Sequence, residues 1–367
     1  MDLLYLSRAQ LISDLIEAEK LIYRIINLPK MTQSILSICI FPILSLICVG
    51  VDDLFSEKDL KLSKDLGLND QIDFTKLLAK SRSSLKLYTD SKGGKAIKKV
   101  EKQQKKFYKE LQKGYSDLQK SYISLFGQED LGVYYYKGLP LANTNQTTIY
   151  FDAFDSEIKK ENSIERVIEQ FSKNQSYYIN LVVREFEDSR IEKFEYEKCE
   201  SKILDSEISN QDFFFLDEDR RNIFTNSDDK FFSLFLFNLK CQLSFSLNVI
   251  PLIISENSSL RYRLEMLVYY QAMKKLEFIE KENPFMGIEF VSDLLEKFEC
   301  IFSNNNLRNN IYHYNLSKDN DQMEIKEDIF ISMVEFQTGI KFKDVFDSIE
   351  RDTAKLIKIL EKETCLI

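Results

Sequence analysis

Apolar residues recur at helical spacing through the first thirty positions, at Leu4, Leu11, Leu15, Ala18, Leu21, Ile22, Ile25 and Ile26, predicting an amphipathic helix over residues 2–30. From Met31 to Val51 the chain carries no charge; Lys20, Arg24 and Lys30 precede this run, and Asp52 and Asp53 follow it. Its length and basic flank approach those of a bilayer span. However, Thr32, Gln33, Ser34, Ser37 and Ser45 dilute it and Pro42 stands at its centre, so the reading is a buried helix pair broken at Pro42. The acidic, amphipathic stretch Met1–Lys30 ahead of it argues against a secretory signal. A further long helix is predicted over Gly94–Phe126, ended by Gly127, with Ile97, Val100, Phe107, Leu111, Tyr115, Leu118 and Tyr122 as a single stripe.

Between about 133 and 257 the period changes. Thr147–Phe154, Tyr177–Phe186, Arg190–Cys199 and Asp212–Leu216 are rich in β-branched and aromatic residues and read as strands. Lys230–Ile254 is ambiguous: alternation at Leu243, Phe245, Leu247 and Val249 favours strand, and its length favours helix.

From Ser258 the helical signal is clean. Ser258 and Ser259 can cap a helix running to about Glu282 with Leu260, Leu264, Leu267, Val268, Ala272, Leu276 and Ile279 on one side. Asn283-Pro284 breaks it. A second helix carries Phe290, Val291, Leu294, Phe298 and Ile301, and Ser303–Asn306 turns the chain into a third, Leu307 to about Leu316. A helix around Asp328–Gln337 follows, then a last one with Phe342, Val345, Phe346, Ile349, Thr353, Leu356 and Leu360 in register. The fold class is therefore α+β, multidomain and mainly α. It comprises a helical N-terminal region (1–132), a strand-containing middle module (133–257) and a C-terminal helical bundle (258–367).

Composition adds little to this frame. Few Gly and Pro in 367 residues favour helix, and an apolar fraction of 44% suits a folded chain. The net charge of −9 excludes a uniformly nucleic-acid-coating protein, but it leaves room for a local basic surface. Such a surface is predicted between Lys92 and Lys120, where ten Lys face three acids; Lys98, Lys102, Lys105 and Lys109 are its candidate RNA-contacting residues. Gly93-Gly94-Lys95 lacks the upstream Gly and the following Ser or Thr of a phosphate loop. Cys39, Cys48, Cys199, Cys241, Cys300 and Cys365 are scattered without a C-x-x-C pair, as expected of reduced thiols in a cytoplasmic protein without a zinc site. Asp217-Glu218-Asp219 reads as a loop, and no metal or cofactor is expected.

The chemistry is predicted in Leu307-Arg308-Asn309-Asn310-Ile311-Tyr312-His313-Tyr314, which holds the only histidine of the chain. On a helix Asn309 and His313 would lie about 40° apart, close enough for the amide to fix the ring tautomer. Arg308, about 140° from His313, has the reach to clamp a phosphate. A cationic clamp (Arg308), a poised imidazole (His313) and its orienter (Asn309) suffice for RNA cleavage, because the attacking group is the substrate's own 2′-hydroxyl. Tyr312 and Tyr314 are candidate base-stacking partners.

Arg308-Asn309-x-x-x-His313, late in a helical bundle, resembles the R-x4–6-H signature of HEPN ribonucleases over roughly residues 258–367. The resemblance implies a metal-independent endoribonuclease acting as a toxin or antiphage effector on transfer or messenger RNA and leaving 2′,3′-cyclic phosphate ends. In that family two motifs share one cleft, which implies a homodimer or higher even oligomer, and the rest of this chain would sense a trigger or meet a regulatory partner. A related subgroup carries Tyr two residues after the histidine; Asn315 stands there in this chain, so that role does not carry over. Two alternatives remain: an inactive HEPN-like RNA- or protein-binding module, and a membrane-associated effector using Met31–Val51, the membrane being the less expected partner.

Overall fold

The computed structural model describes residues 2–55, 78, 81–82, 93–153, 164–186, 203, 207–217, 223–224, 229–282, 291–326 and 328–364. Among the described residues the chain is mainly helical with one small three-stranded sheet, the α+β class expected. Asp2 caps α1 (Leu3–Ile26) through its carboxylate, and α2 (Lys30–Leu54) returns antiparallel against it. Helix α2 bends by 52° between Ser37 and Cys39. Pro42 accounts for the place: it lacks the N–H that would bond the carbonyl four residues before it, and its ring crowds that carbonyl. The uncharged run is nevertheless packed inside the protein, with Leu36, Phe41, Leu44, Ile47, Cys48 and Val51 buried.

The predicted helix over Gly94–Phe126 is two helices, α3 (Gly93–Leu111) and α4 (Asp117–Phe126). Gly114 (φ 87°) breaks the stripe, and Ser116 with Gln119 forms a capping box that restarts it. After them β1 (Leu131–Tyr136) and β2 (Leu139–Asn143) form a hairpin across Lys137-Gly138, both at positive φ, the geometry a two-residue loop demands. The sheet order is β2-β1-β3, with β3 (Ile208–Phe213) antiparallel to β1. Pro140 sits on the edge strand β2, where a missing N–H is tolerated.

Three predicted strands need comment. Thr147–Phe154 falls in helix α5 (Thr144–Ala153), because Asn143 and Gln146 exchange side-chain bonds with each other's backbone N–H and start a helix. Thr147 and Thr148 then turn their hydroxyls back onto the carbonyls of Thr144 and Asn145. Tyr177–Phe186 lies almost wholly in α6 (Ile164–Glu185), where Val167, Phe171, Gln175, Tyr178, Ile179, Val182 and Val183 are buried at helical spacing and outweigh local β-propensity. Arg190–Cys199 lies outside the described residues. The ambiguous segment is helical: α7 (Lys230–Asn248) followed by the single turn α8 (Ile250–Ile253). Among the described residues Lys230–Ile253 is the one stretch without a sharp bend that is long and apolar enough to cross a membrane, and 72% of its most apolar part is buried inside the protein.

The last elements are α9 (Ser259–Glu282), α10 (Ser292–Phe302), α11 (Asn305–Tyr312), α12 (Ile329–Thr338) and α13 (Phe342–Glu363). The expected apolar stripe of α13 is buried throughout. The boundaries at 132/133 and 257/258 are not seams in the packing. One apolar core joins α3, β1, α7 and α9–α13, and a second joins α1, α2, α6, α8 and the start of α9. A buried amide chain crosses the first core: Asn143 donates to Asn238, Asn238 to Asn145, Asn145 to Gln104, and Gln104 to Asp130. It seats α3 against the sheet and α7, and every link is paired, as a polar core requires.

Candidate functional site

Asn304 opens α11 by accepting the N–H of Asn306 at 2.8 Å, and its own amide donates to Gln337 of α12 at 2.7 Å. The helix buries Leu307, Asn310, Ile311 and Tyr312, leaving Arg308 half-buried and Asn309 exposed. It stops at Tyr312. His313 is the half-exposed residue after it, in extended conformation (φ −130°, ψ 143°), its N–H donating to the Asn309 carbonyl at 2.8 Å.

This corrects the expected geometry. Arg263 of α9 donates to the carbonyls of Asn310 (2.7 Å) and Ile311 (3.0 Å), the groups a longer helix would give to residues 314 and 315. With those acceptors taken, the backbone leaves the helix and His313 no longer follows Asn309 in helical register. The Asn309 amide oxygen instead accepts from Arg308 Nη1 at 3.1 Å. Asn309 thus orients the arginine.

The tyrosines are also corrected. Tyr314 is 3% exposed, and its hydroxyl donates to Asp14 of α1 at 2.9 Å. The Arg263 guanidinium stacks 4.3 Å above its ring. Burial, and then the Asp14 charge, push the Tyr314 phenol well above its ordinary pKa. Tyr312 is 5% exposed and packs edge-on against Tyr270, with the Arg308 guanidinium 5.3 Å over its ring. In this conformation neither ring is open to a base; Tyr312 is a shelf for Arg308.

Around the helix end lies a fully buried ionic network. Asp14 accepts from Arg263 Nε (3.1 Å), Ser259 (2.5 Å), Gln10 (3.2 Å) and Tyr314. Burial pushes its carboxyl above the usual range, and Arg263 with the two hydroxyls pulls it back. Neither Asp14 nor Arg263 was legible as a site residue, since 249 positions separate the pair. Asn310, 1% exposed, has no hydrogen-bond partner for either amide atom.

Lys98, Lys102, Lys105 and Lys109 line the exposed side of α3, as expected of one stripe. Lys105 is held by Glu101 at 2.6 Å and lies 5.6 Å over the Phe231 ring, so it is the least available of the four. Of the acidic run, Asp217 is described and Glu218 and Asp219 lie outside the described residues. Among the described residues no three His, Cys, Asp or Glu side chains cluster as metal ligands. Cys39, Cys48, Cys241 and Cys300 are free thiols, and burial raises those of Cys39 and Cys241 to about 12. A cavity of about 1200 Å³ opens between α1, α2 and α6, and neither Arg308 nor His313 lines it. No protein-family model, curated protein or solved structure matches this chain.

Proposed function

We propose that the chain is a metal-independent endoribonuclease of the HEPN kind, with Arg308 as phosphate clamp and His313 as acid/base. The reading is supported by the partial exposure of both groups, Arg308 with its guanidinium over Tyr312, the last residue of α11, and His313 directly after it. Stacking on Tyr312 and the bond to Asn309 restrain the guanidinium, and its Nε–H is closed off from solvent. Its Nη edge is therefore the edge that would meet a phosphate. His313, outside the helix register, would take the 2′-hydroxyl proton from RNA as that oxygen attacks phosphorus. It would return a proton to the leaving 5′-oxygen, giving a 2′,3′-cyclic phosphate. The setting would be cytoplasmic, as a toxin or antiphage effector.

Cleavage of bulk RNA by the purified protein is expected to persist in excess EDTA, because no step uses a metal. Activity lost on chelation and restored by Mg²⁺ would refute the mechanism. Each chain offers one Arg308–His313 pair, so the active species is expected to be a symmetric dimer or higher even oligomer. Sizing across a dilution series with parallel assay checks this, and a fully active monomer would count against the shared cleft.

The rival reading is a binding module of similar fold. It is favoured by the engagement of Arg308 within its own helix, through Asn309 and Tyr312. RNA binding without cleavage under every condition that supports binding would select it.

A further inference from the structure

Helix α4 has no buried residue. Its ends hold it instead: Gln119 accepts the Ser116 N–H at 2.9 Å, and Gly127 (φ 79°) closes the far end. Leu118, Tyr122, Leu125 and Phe126 are 82%, 62%, 67% and 55% exposed. At about 100° per residue these four fall on one face roughly 100° wide. The opposite side, through Lys120, Ile123 and Ser124, meets Tyr108 of α3 and Gln112 just beyond it across a shallow hollow. The apolar face therefore looks away from the protein, its Tyr122 and Phe126 rings paired at 4.4 Å.

The helix before it, α3, is basic on its exposed side. Between Gly93 and Phe126 nine lysines face three acids, in a chain of net charge −9. Glu101, Glu110 and Asp117 are matched by Lys105, Lys113 and Lys120. Among the described residues Lys95, Lys98, Lys99, Lys102 and Lys109 have no ion-pair partner, and all five are exposed.

We propose that α4 and the lysine face of α3 form a docking surface for an anionic phospholipid bilayer. Leu118, Tyr122, Leu125 and Phe126 enter the boundary between headgroups and acyl chains, and the lysines lie on the lipid phosphates. The size of the face argues against a second copy of the chain. Four such side chains offer roughly 500 Å², short of the ~800 Å² per partner of a stable interface. Its chemistry argues against RNA, because Leu118 and Leu125 have no π-face for a base. This surface is separate from Arg308 and His313 and does not depend on the nuclease reading.

The chain has no tryptophan, so Phe126→Trp in the full-length protein is a single reporter. Its emission is expected to shift to the blue on vesicles of equal phosphatidylcholine and phosphatidylglycerol, not on phosphatidylcholine alone, and to shift less as salt rises. The triple variant Leu118→Ser, Tyr122→Ser, Leu125→Ser is expected to lose about tenfold or more in vesicle co-sedimentation, with circular dichroism and Tm as in the parent. Emission unmoved by anionic vesicles would overturn the proposal. A concentration-dependent blue shift without vesicles would assign the face to a second copy, and loss of RNA binding by the triple variant with vesicle binding intact would assign it to nucleic acid; each overturns it.

Discussion

Replacing His313 by alanine is expected to lower RNA cleavage by about 10² to 10⁴-fold, the range typical of one positioned acid/base. The protein should stay folded, because His313 is half-exposed and lies beyond the last helical residue of α11. Arg308→Lys keeps the charge but not the planar fork or the stacking on Tyr312, so a severe loss is expected there too. Asn309→Ala should retain reduced activity. The structure adds a reason to the one the sequence suggests: the change releases Arg308 Nη1. Tyr312→Leu should follow the Arg308 variants more closely than the His313 ones. Single-turnover cleavage of a defined RNA, with Tm recorded for each variant, separates these effects. A His313→Ala protein that cuts like the parent would place the chemistry elsewhere.

Arg263→Met is expected to cost about 3–5 kcal/mol of stability, the usual consequence of stranding one member of a buried ion pair. The change leaves Asp14 fully buried without its cation and removes the donors from the Asn310 and Ile311 carbonyls. Asp14→Asn should cost less. Its amide oxygen can take the place of Oδ2 and accept from Arg263 and Tyr314, its amide nitrogen can donate to the Ser259 hydroxyl, and Arg263 keeps the two carbonyls. Asp14→Leu with Arg263→Met together should cost less than the sum of the two single changes, since no charge is then stranded. Calorimetric Tm values for the four proteins close this cycle; strict additivity, or an Arg263→Met protein as stable as the parent, would show that the network carries no such energy. Any loss of cleavage in Arg263→Met beyond the fraction unfolded would report the helix end it holds.

Local spacing alone determined α1, α9 and α13, because their stripes repeat every three or four residues and need no distant partner to be seen. It also contains signals that a longer apolar pattern hid, namely Gly114 with the Ser116–Gln119 box, and Lys137-Gly138 between two strands. The candidate pair Arg308 and His313 was legible for the same reason: its members stand five positions apart. Their arrangement was not. Where α11 stops depends on Arg263, which reaches it from 47 and 48 positions away, and on Asp14, which anchors Arg263 and Tyr314 from the far end of the chain. Gly50 of α2 adds a contact of the same kind, since a Cβ there would come within 2.5 Å of the Tyr314 ring. Such pairings leave no period in the sequence. A carboxylate near one end of the chain and a guanidinium and a phenol hundreds of residues further on become partners only when folding removes the water that would otherwise serve each of them.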